Sequence, residues 1–204
     1  MRVMVLVSGK GSNMQALLDA EQEGRLGNAH IASVLADRLG TFAVDRMKTP
    51  GVRVYIETLR LSLPKDARLK ALSDAILMYC KYERIDLIVL AGFLSILQGD
   101  ILHVYQGRII NLHPSLLPKY GGPGMYGARV HEAVLAAGER ESGCTVHFVD
   151  EGTDTGPIIL QRKVPVLPND TPDTLAARIH PEEHIALVEA VRRVSNEQGC
   201  LQRA

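Results

Sequence analysis

Short apolar runs alternate along the chain with stretches in which apolar side chains recur every three or four positions. Met1 to Val7 is apolar and rich in β-branched residues, as a strand covered on both faces requires. Ser8-Gly9-Lys10-Gly11-Ser12-Asn13 follows, after which Met14, Leu17 and Leu18 fall on one face of a helix. Ile31 to Ala36 reads as a second strand, Thr41 to Lys48 as a short helix and Val52 to Ile56 as a third strand. Ser62-Leu63-Pro64 has the form of a helix start, with Ser62 as cap, ahead of Leu69, Leu72, Ile76 and Tyr79 at helical spacing. Leu87 to Leu90 is the most apolar strand, Gln98 to Gln106 the next helix, and Arg108-Ile109-Ile110 opens another buried strand. This alternation predicts parallel βαβ units. The expected fold class is therefore α/β, an open, mostly parallel, twisted sheet of Rossmann-like type flanked by helices.

The pattern changes after Tyr120. Gly121-Gly122-Pro123-Gly124 is a loop, and Arg129 to Ala137 forms a helix with Val130, Val134 and Ala137 inward. Two strands, Cys144 to Val149 and Ile158 to Val166, flank the polar loop Asp150-Glu151-Gly152-Thr153-Asp154-Thr155-Gly156-Pro157, which predicts an antiparallel extension of the sheet. From Leu175 the chain is helical, with an interruption expected at Pro181 and resumption through Ile185, Val188 and Val191. No repeat or linker divides the chain, so residues 1–204 are read as one domain.

Composition narrows the partners. Of 204 residues 46% are hydrophobic, enough for one ample core. The 23 basic and 23 acidic side chains balance without forming blocks, which argues against nucleic acid or an anionic membrane as partner. No apolar run approaches the ~20 residues of a membrane span, and Met1-Arg2-Val3 does not open a signal peptide. Cys80, Cys144 and Cys200 form neither a disulfide framework nor a CxxC metal site, so no metal is expected and a cytoplasmic location is.

Two constellations carry chemistry. The Ser8–Asn13 loop joins a strand to a helix, where backbone N–H groups and the helix dipole favour a phosphate. A Walker loop would need glycine at Met4 and Ser or Thr at Gly11, and the dinucleotide fingerprint would need glycine at Met14. Phosphate binding without a dinucleotide is the favoured reading; Asp37, ending the second strand, keeps a non-catalytic nucleotide-binding module as the rival. The second constellation is Asn111-Leu112-His113-Pro114. Asn111 and His113 are two apart, on one side of an extended segment that two prolines terminate. An amide donor beside an imidazole suits an oxyanion formed during acyl or formyl transfer to an amine. A carboxylate orienting the ring could come from Asp150, Glu151 or Asp154, and spacing does not choose among them. No serine or cysteine occupies a nucleophile motif, so direct transfer is expected. His147 alternates with Thr145 and Val149 in a strand. His103, His131 and His184 lie on helical stretches, where surface positions are expected.

Val5-Leu6-Val7-Ser8-Gly9-Lys10-Gly11-Ser12-Asn13, Val89-Leu90-Ala91-Gly92-Phe93, Asn111-Leu112-His113-Pro114-Ser115-Leu116-Leu117-Pro118, Gly143-Cys144-Thr145-Val146-His147-Phe148-Val149 and Asp154-Thr155-Gly156-Pro157-Ile158-Ile159-Leu160-Gln161 occur in this order. Together they resemble the phosphoribosylglycinamide formyltransferases, folate-dependent enzymes of purine synthesis. The resemblance implies formyl transfer from 10-formyltetrahydrofolate to the amine of 5′-phosphoribosylglycinamide, with both small molecules as partners and the protein a monomer or homodimer. It implies Asn111, His113 and Asp154 as catalytic residues, with Asp154 keeping His113 charged and relaying the proton. Gly11, Ser12, Asn13 and Arg68 would hold the phosphate and Glu183 would reach the ribose. Leu90, Phe93, Ser95, Ile96, Leu97, Val149, Asp150 and Asp154 would line the folate site, with His147 and Thr145 in support. Residues 1–110 would then carry the phosphate-binding half and 111–204 the catalytic and folate-binding half. Ser95 stands where such enzymes often carry a basic residue, and the Tyr120–Tyr126 loop is longer than usual. Methionyl-tRNA formyltransferase and formyltetrahydrofolate hydrolase share the Asn-x-His-Pro core and are the alternatives within the same chemistry.

Overall fold

The structure is a computed structural model that describes residues 1–40 and 49–201, with side chains as far as residue 197. The helix expected over Thr41–Lys48 lies outside the described residues. Seven strands form one sheet in the order β3-β2-β1-β4-β5-β6-β7: β1 (Arg2–Val7), β2 (His30–Ala36), β3 (Arg53–Ile56), β4 (Leu87–Leu90), β5 (Ile109–His113), β6 (Glu141–Phe148) and β7 (Ile158–Pro165). β1 to β5 pair parallel, while β6 runs antiparallel to β5 and β7 to β6. The open, mostly parallel sheet with an antiparallel extension is thus present.

Helices α1 (Ser12–Gln22), α2 (Lys65–Tyr82), α3 (Asp100–Val104), α4 (Ala128–Ala136) and α5 (Pro172–Leu201) accompany it. The two faces of β1 explain the placing of the core. Val3, Val5 and Val7 enter one hydrophobic cluster with α1 and α5, whereas Met4 and Leu6 enter a second with α2. Each strand of the middle is buried on both sides, which is why its sequence reads as a continuous apolar run. No helix among the described residues is long and apolar enough to cross a membrane.

Three expectations about helices need correction. α2 begins at Lys65 with Pro64 as its cap residue, so Ser62 lies outside the helix. α3 is shorter than Gln98–Gln106, because Gly99 occupies a backbone conformation (φ 77°, ψ −149°) that a helix cannot contain. α5 continues through Pro181 without a break. Proline in a helix interior costs about 3 kcal/mol, but Leu175, Ile179, Ala186, Leu187, Ala190 and Val191 are buried on both sides of it. Packing along that stripe outweighs the missing donor. Ile185, expected inward, is half exposed, since the buried stripe runs beside it.

β1 is flanked by β2 on one side and β4 on the other, so chain direction across the sheet switches there. In open α/β sheets ligands bind at the carboxyl ends beside such a point. The loops after β1 and β4 are tied there: Ser8 N–H donates to the Gly92 carbonyl at 3.2 Å, and Leu94 N–H to Ser8 Oγ at 2.8 Å.

Candidate active site

The register of β5 against β6 builds the site. Asn111 is the cross-strand partner of His147, and His113 that of Thr145, so all four side chains share one face of the sheet. Each does a different task. His147 Nδ1–H donates to the Phe148 carbonyl at 2.8 Å, leaving Nε2 to accept from Asn111 Nδ2 at 3.2 Å. His147 therefore fixes which way the Asn111 amide points. Thr145 is fully buried; its hydroxyl donates to the Ser115 carbonyl at 2.6 Å and accepts from Leu117 N–H at 3.0 Å. Gln161 Nε2 donates both to that hydroxyl and to the Leu117 carbonyl, each at 2.9 Å. The two prolines terminate the strand, and Thr145 with Gln161 holds the turn that follows.

Of the three loop carboxylates, one faces inward. Asp150 accepts from Gly152 N–H at 3.0 Å and Thr155 Oγ at 2.6 Å, and so folds its own loop. Glu151 is exposed and pairs at 3.8 Å with His103, also exposed. Asp154 Oδ2 lies 3.4 Å from His113 Nδ1, and Oδ1 lies 3.5 Å from Asn111 Nδ2 and 3.6 Å from His147 Nε2. Gly122 N–H caps Oδ2 at 3.0 Å. Asp154 has φ 59°, a left-handed conformation uncommon outside glycine and typical of functional sites. Gly156 makes that loop possible: a Cβ there would stand 1.9 Å from the Phe148 carbonyl oxygen.

The long Tyr120–Tyr126 loop brackets this pair from the other side. His113 Nε2–H donates to the Tyr120 carbonyl at 2.8 Å, so Nδ1 is the nitrogen that faces Asp154. Tyr120 also adopts φ 58°, and its hydroxyl donates to Glu139 at 2.9 Å, anchoring the loop beyond α4. Burial pushes the His113 pKa below its ordinary 6.5, against the opposing pull of the Asp154 charge and the Tyr120 carbonyl. Desolvation outweighs the carboxylate here, so the Asp154 charge limits the fall of the His113 pKa without reversing it. Burial would raise Asp154, but the imidazoles of His147 and His113 and the Gly122 N–H hold it below its ordinary 3.8. A negative carboxylate thus faces an imidazole nitrogen ready to take a proton.

The glycine loop lies across the carboxyl edge. Gly11 caps α1 in the left-handed conformation (φ 73°), with no side chain occupying the free N–H groups of the first turn. Asn13 is buried, and its Nδ2 donates to Glu183 Oε2 at 3.2 Å. The same carboxylate oxygen lies 2.9 Å from His180 Nδ1. Asn13 and Glu183, 170 residues apart, are therefore brought together. Arg68 is half-buried in the first turn of α2; its Nε has no partner among the described residues, and no interaction joins it to the glycine loop.

Leu90, Phe93, Leu97 and Val149 gather in the second hydrophobic cluster, forming an apolar wall beside β4. Residues 91–97 alternate, with Ser95 buried and Leu94 and Ile96 half exposed at the rim. Ser95 turns its hydroxyl to Asp37 at 2.6 Å, and Arg38 also pairs with Asp37 at 3.0 Å. Asp37 is fully engaged, which removes the support of the nucleotide-module rival. Three contributors escaped sequence reasoning: Gln161, the Tyr120 carbonyl and His131. His131 is only 6% exposed instead of superficial. Its position three residues before Val134, on the buried stripe of α4, was the available signal.

A family model described as formyl transferase matches residues 1–191. The chain is 45% identical over 197 residues to the trifunctional purine biosynthetic protein adenosine-3 of Drosophila melanogaster, covering 96% of this chain. It spans only 14% of the length of that protein and of two further insect relatives. With phosphoribosylglycinamide formyltransferase of Escherichia coli (strain K12) it shares 37% identity over 90% of this chain and 82% of that protein. The crystal structure of glycinamide ribonucleotide transformylase 1 from Symbiobacterium toebii matches with a TM-score of 0.87 at 37% identity, over 97% of this chain and 88% of that one. Sequence and fold agree, and the chain belongs to the formyl transferase family.

Proposed function

We propose that this chain transfers the formyl group of 10-formyltetrahydrofolate to the amine of 5′-phosphoribosylglycinamide, by direct attack and without a covalent enzyme intermediate. The observation that carries the proposal is the convergence of Asn111 and His113 on the Asp154 carboxylate, at 3.5 and 3.4 Å respectively. Formation of the new C–N bond builds negative charge on the formyl oxygen and requires loss of a proton from the attacking nitrogen. Asn111 answers the first need. Its 3.5 Å contact to Asp154 is long, so that N–H can turn to a developing oxyanion while His147 keeps the amide oriented. Asp154 and His113 answer the second. The carboxylate draws the proton, and protonation of His113 at Nδ1 creates an N–H facing Asp154 that places positive charge beside the oxyanion. The pair returns the proton to the departing nitrogen as the old C–N bond breaks.

The wall of Leu90, Phe93, Leu97 and Val149 fits a flat, largely apolar heterocycle, and the half-exposed Leu94 and Ile96 extend it at the rim. These residues, with the backbone of the Val149–Asp154 loop, would hold the folate, which supplies the formyl group when bound. The N–H groups of Gly11, Ser12 and Asn13 would take the phosphate and Glu183 the ribose. The unpartnered Nε of Arg68 leaves that residue a donor for an anionic group of a substrate.

Incubation of the protein with both substrates is expected to yield N-formylated ribonucleotide and tetrahydrofolate; no product would refute the proposal. Asp154→Asn is expected to lower kcat by about 10²–10⁴, with ribonucleotide affinity held within a few-fold, as read from steady-state kinetics and calorimetry.

A further inference from the structure

Six buried side-chain polar atoms have no hydrogen-bond partner among the described residues, and three of them, Asn13 Oδ1, His131 Nδ1 and His184 Nε2, belong to residues that interact with Glu183 or feel its charge. An unmade bond of this kind is costly, so three in one neighbourhood are what a site open to a polar molecule would leave. The neighbourhood is that of Glu183. Asn13 donates to its carboxylate, His180 lies 2.9 Å from it, and the His184 ring packs edge-on against His180 with centroids 4.5 Å apart. His131, on the buried face of α4, is close enough to both Glu183 and His113 for each to act on its titration, Glu183 favouring its cation and His113 opposing it.

The order of these groups matches the order of chemistry in the proposed substrate. Phosphate, ribose, amide and amine follow one another in 5′-phosphoribosylglycinamide. Gly11 to Asn13, Glu183 and the His113–Asp154 pair provide for the first, second and last. His131, under the influence of both Glu183 and His113, is the buried polar group left to answer for the third. A neutral imidazole offers one donor and one acceptor, complementary to the carbonyl and N–H of an amide. Burial keeps this ring neutral by pushing its pKa down, with Glu183 opposing and His113 assisting.

We propose that His131 hydrogen-bonds the amide joining sugar to glycine in the ribonucleotide, and so selects the glycinamide portion of the substrate. The proposal rests on the ribonucleotide reading given above. Calorimetry separates the two by comparing 5′-phosphoribosylglycinamide with ribose 5-phosphate, which keeps phosphate and sugar but lacks the amide. His131→Ala is expected to weaken the ribonucleotide about tenfold, equivalent to ~1.4 kcal/mol, and to leave ribose 5-phosphate within twofold. His131→Phe fills the same volume without a hydrogen bond and should behave alike, providing the test should the smaller side chain unfold the protein. His131→Asn, which keeps a donor and an acceptor near the position of Nδ1, should recover most of the loss. Equal weakening of both ligands would overturn the proposal by making His131 a structural residue. Unchanged affinity for both would overturn it as well. Failure of the unaltered protein to bind the ribonucleotide, with ribose 5-phosphate still bound, would overturn the substrate reading beneath it.

Discussion

His113 is held between two opposed influences. Burial removes the water that would stabilise its cation, and Asp154, at 3.4 Å from Nδ1, supplies an anion that would welcome it. Because desolvation wins, the ring is neutral at pH 7, yet the carboxylate keeps its pKa from falling further. Replacement of Asp154 by Asn should therefore lower the His113 pKa, and NMR titration of the ring protons measures this. An unmoved or raised value would show that the carboxylate does not act on the ring. The sequence alone made Asn111 and His113 visible, because two-residue spacing in a strand puts side chains on one face. It left Asp150, Glu151 and Asp154 equivalent. What separates them is non-local: Asp150 is used by Gly152 and Thr155, Glu151 is turned to solvent, and Asp154 reaches inward through a left-handed backbone that Gly156 permits. Spacing carries none of that information.

At the scale of elements, the turn after β5 is the piece on which the site depends. Its amide and imidazole come from the strand, but its path is set by Thr145 on β6 and Gln161 on β7. Thr145→Val preserves shape and removes the hydroxyl, leaving the Leu117 N–H and Ser115 carbonyl unpaired at roughly 1–3 kcal/mol each. Denaturant unfolding should show a loss of that order, with kcat reduced and the ribonucleotide dissociation constant nearly unchanged. The buried strands were legible because double-sided burial demands an apolar run, as Leu87–Leu90 shows. Long-range decisions were not. Pro181 reads locally as a break, yet the helix continues because side chains before and after it are buried. His131 reads as a surface residue, yet the phase of α4 turns it inward with Val130 and Val134.

At the scale of the molecule, the site lies where the two hydrophobic clusters meet the carboxyl ends of one sheet, so His113, His131 and His147 are buried while His180 and His184 are partly so. This links stability to pH. His113, His131 and His184 all have pKa values held below 6.5, each chiefly by burial. In the unfolded chain they would titrate near 6.5, so between that value and their folded values the unfolded state binds more protons. Their contribution to stability is complete above pH 6.5 and is lost as pH falls through the folded values. His180 opposes them, since its hydrogen bond to Glu183 raises its pKa and its contribution is full in acid and lost as pH rises past 6.5. With three rings lowered and one raised, a net loss of stability on acidification is expected. A second loss follows in more acidic solution, where Asp154 and Glu83 gain protons. Both are depressed despite burial, Asp154 by its imidazoles and Glu83 by Tyr55 and Arg53. Thermal unfolding should therefore show a midpoint that falls from pH 7.5 to pH 5.5 and more steeply below about pH 4. His131→Asn should flatten the first decline while leaving the second intact, because only the first contains an imidazole at position 131. A midpoint that rises on acidification from pH 7.5 to 5.5 would mean that His180 dominates and that the other three rings are better hydrated than their burial implies.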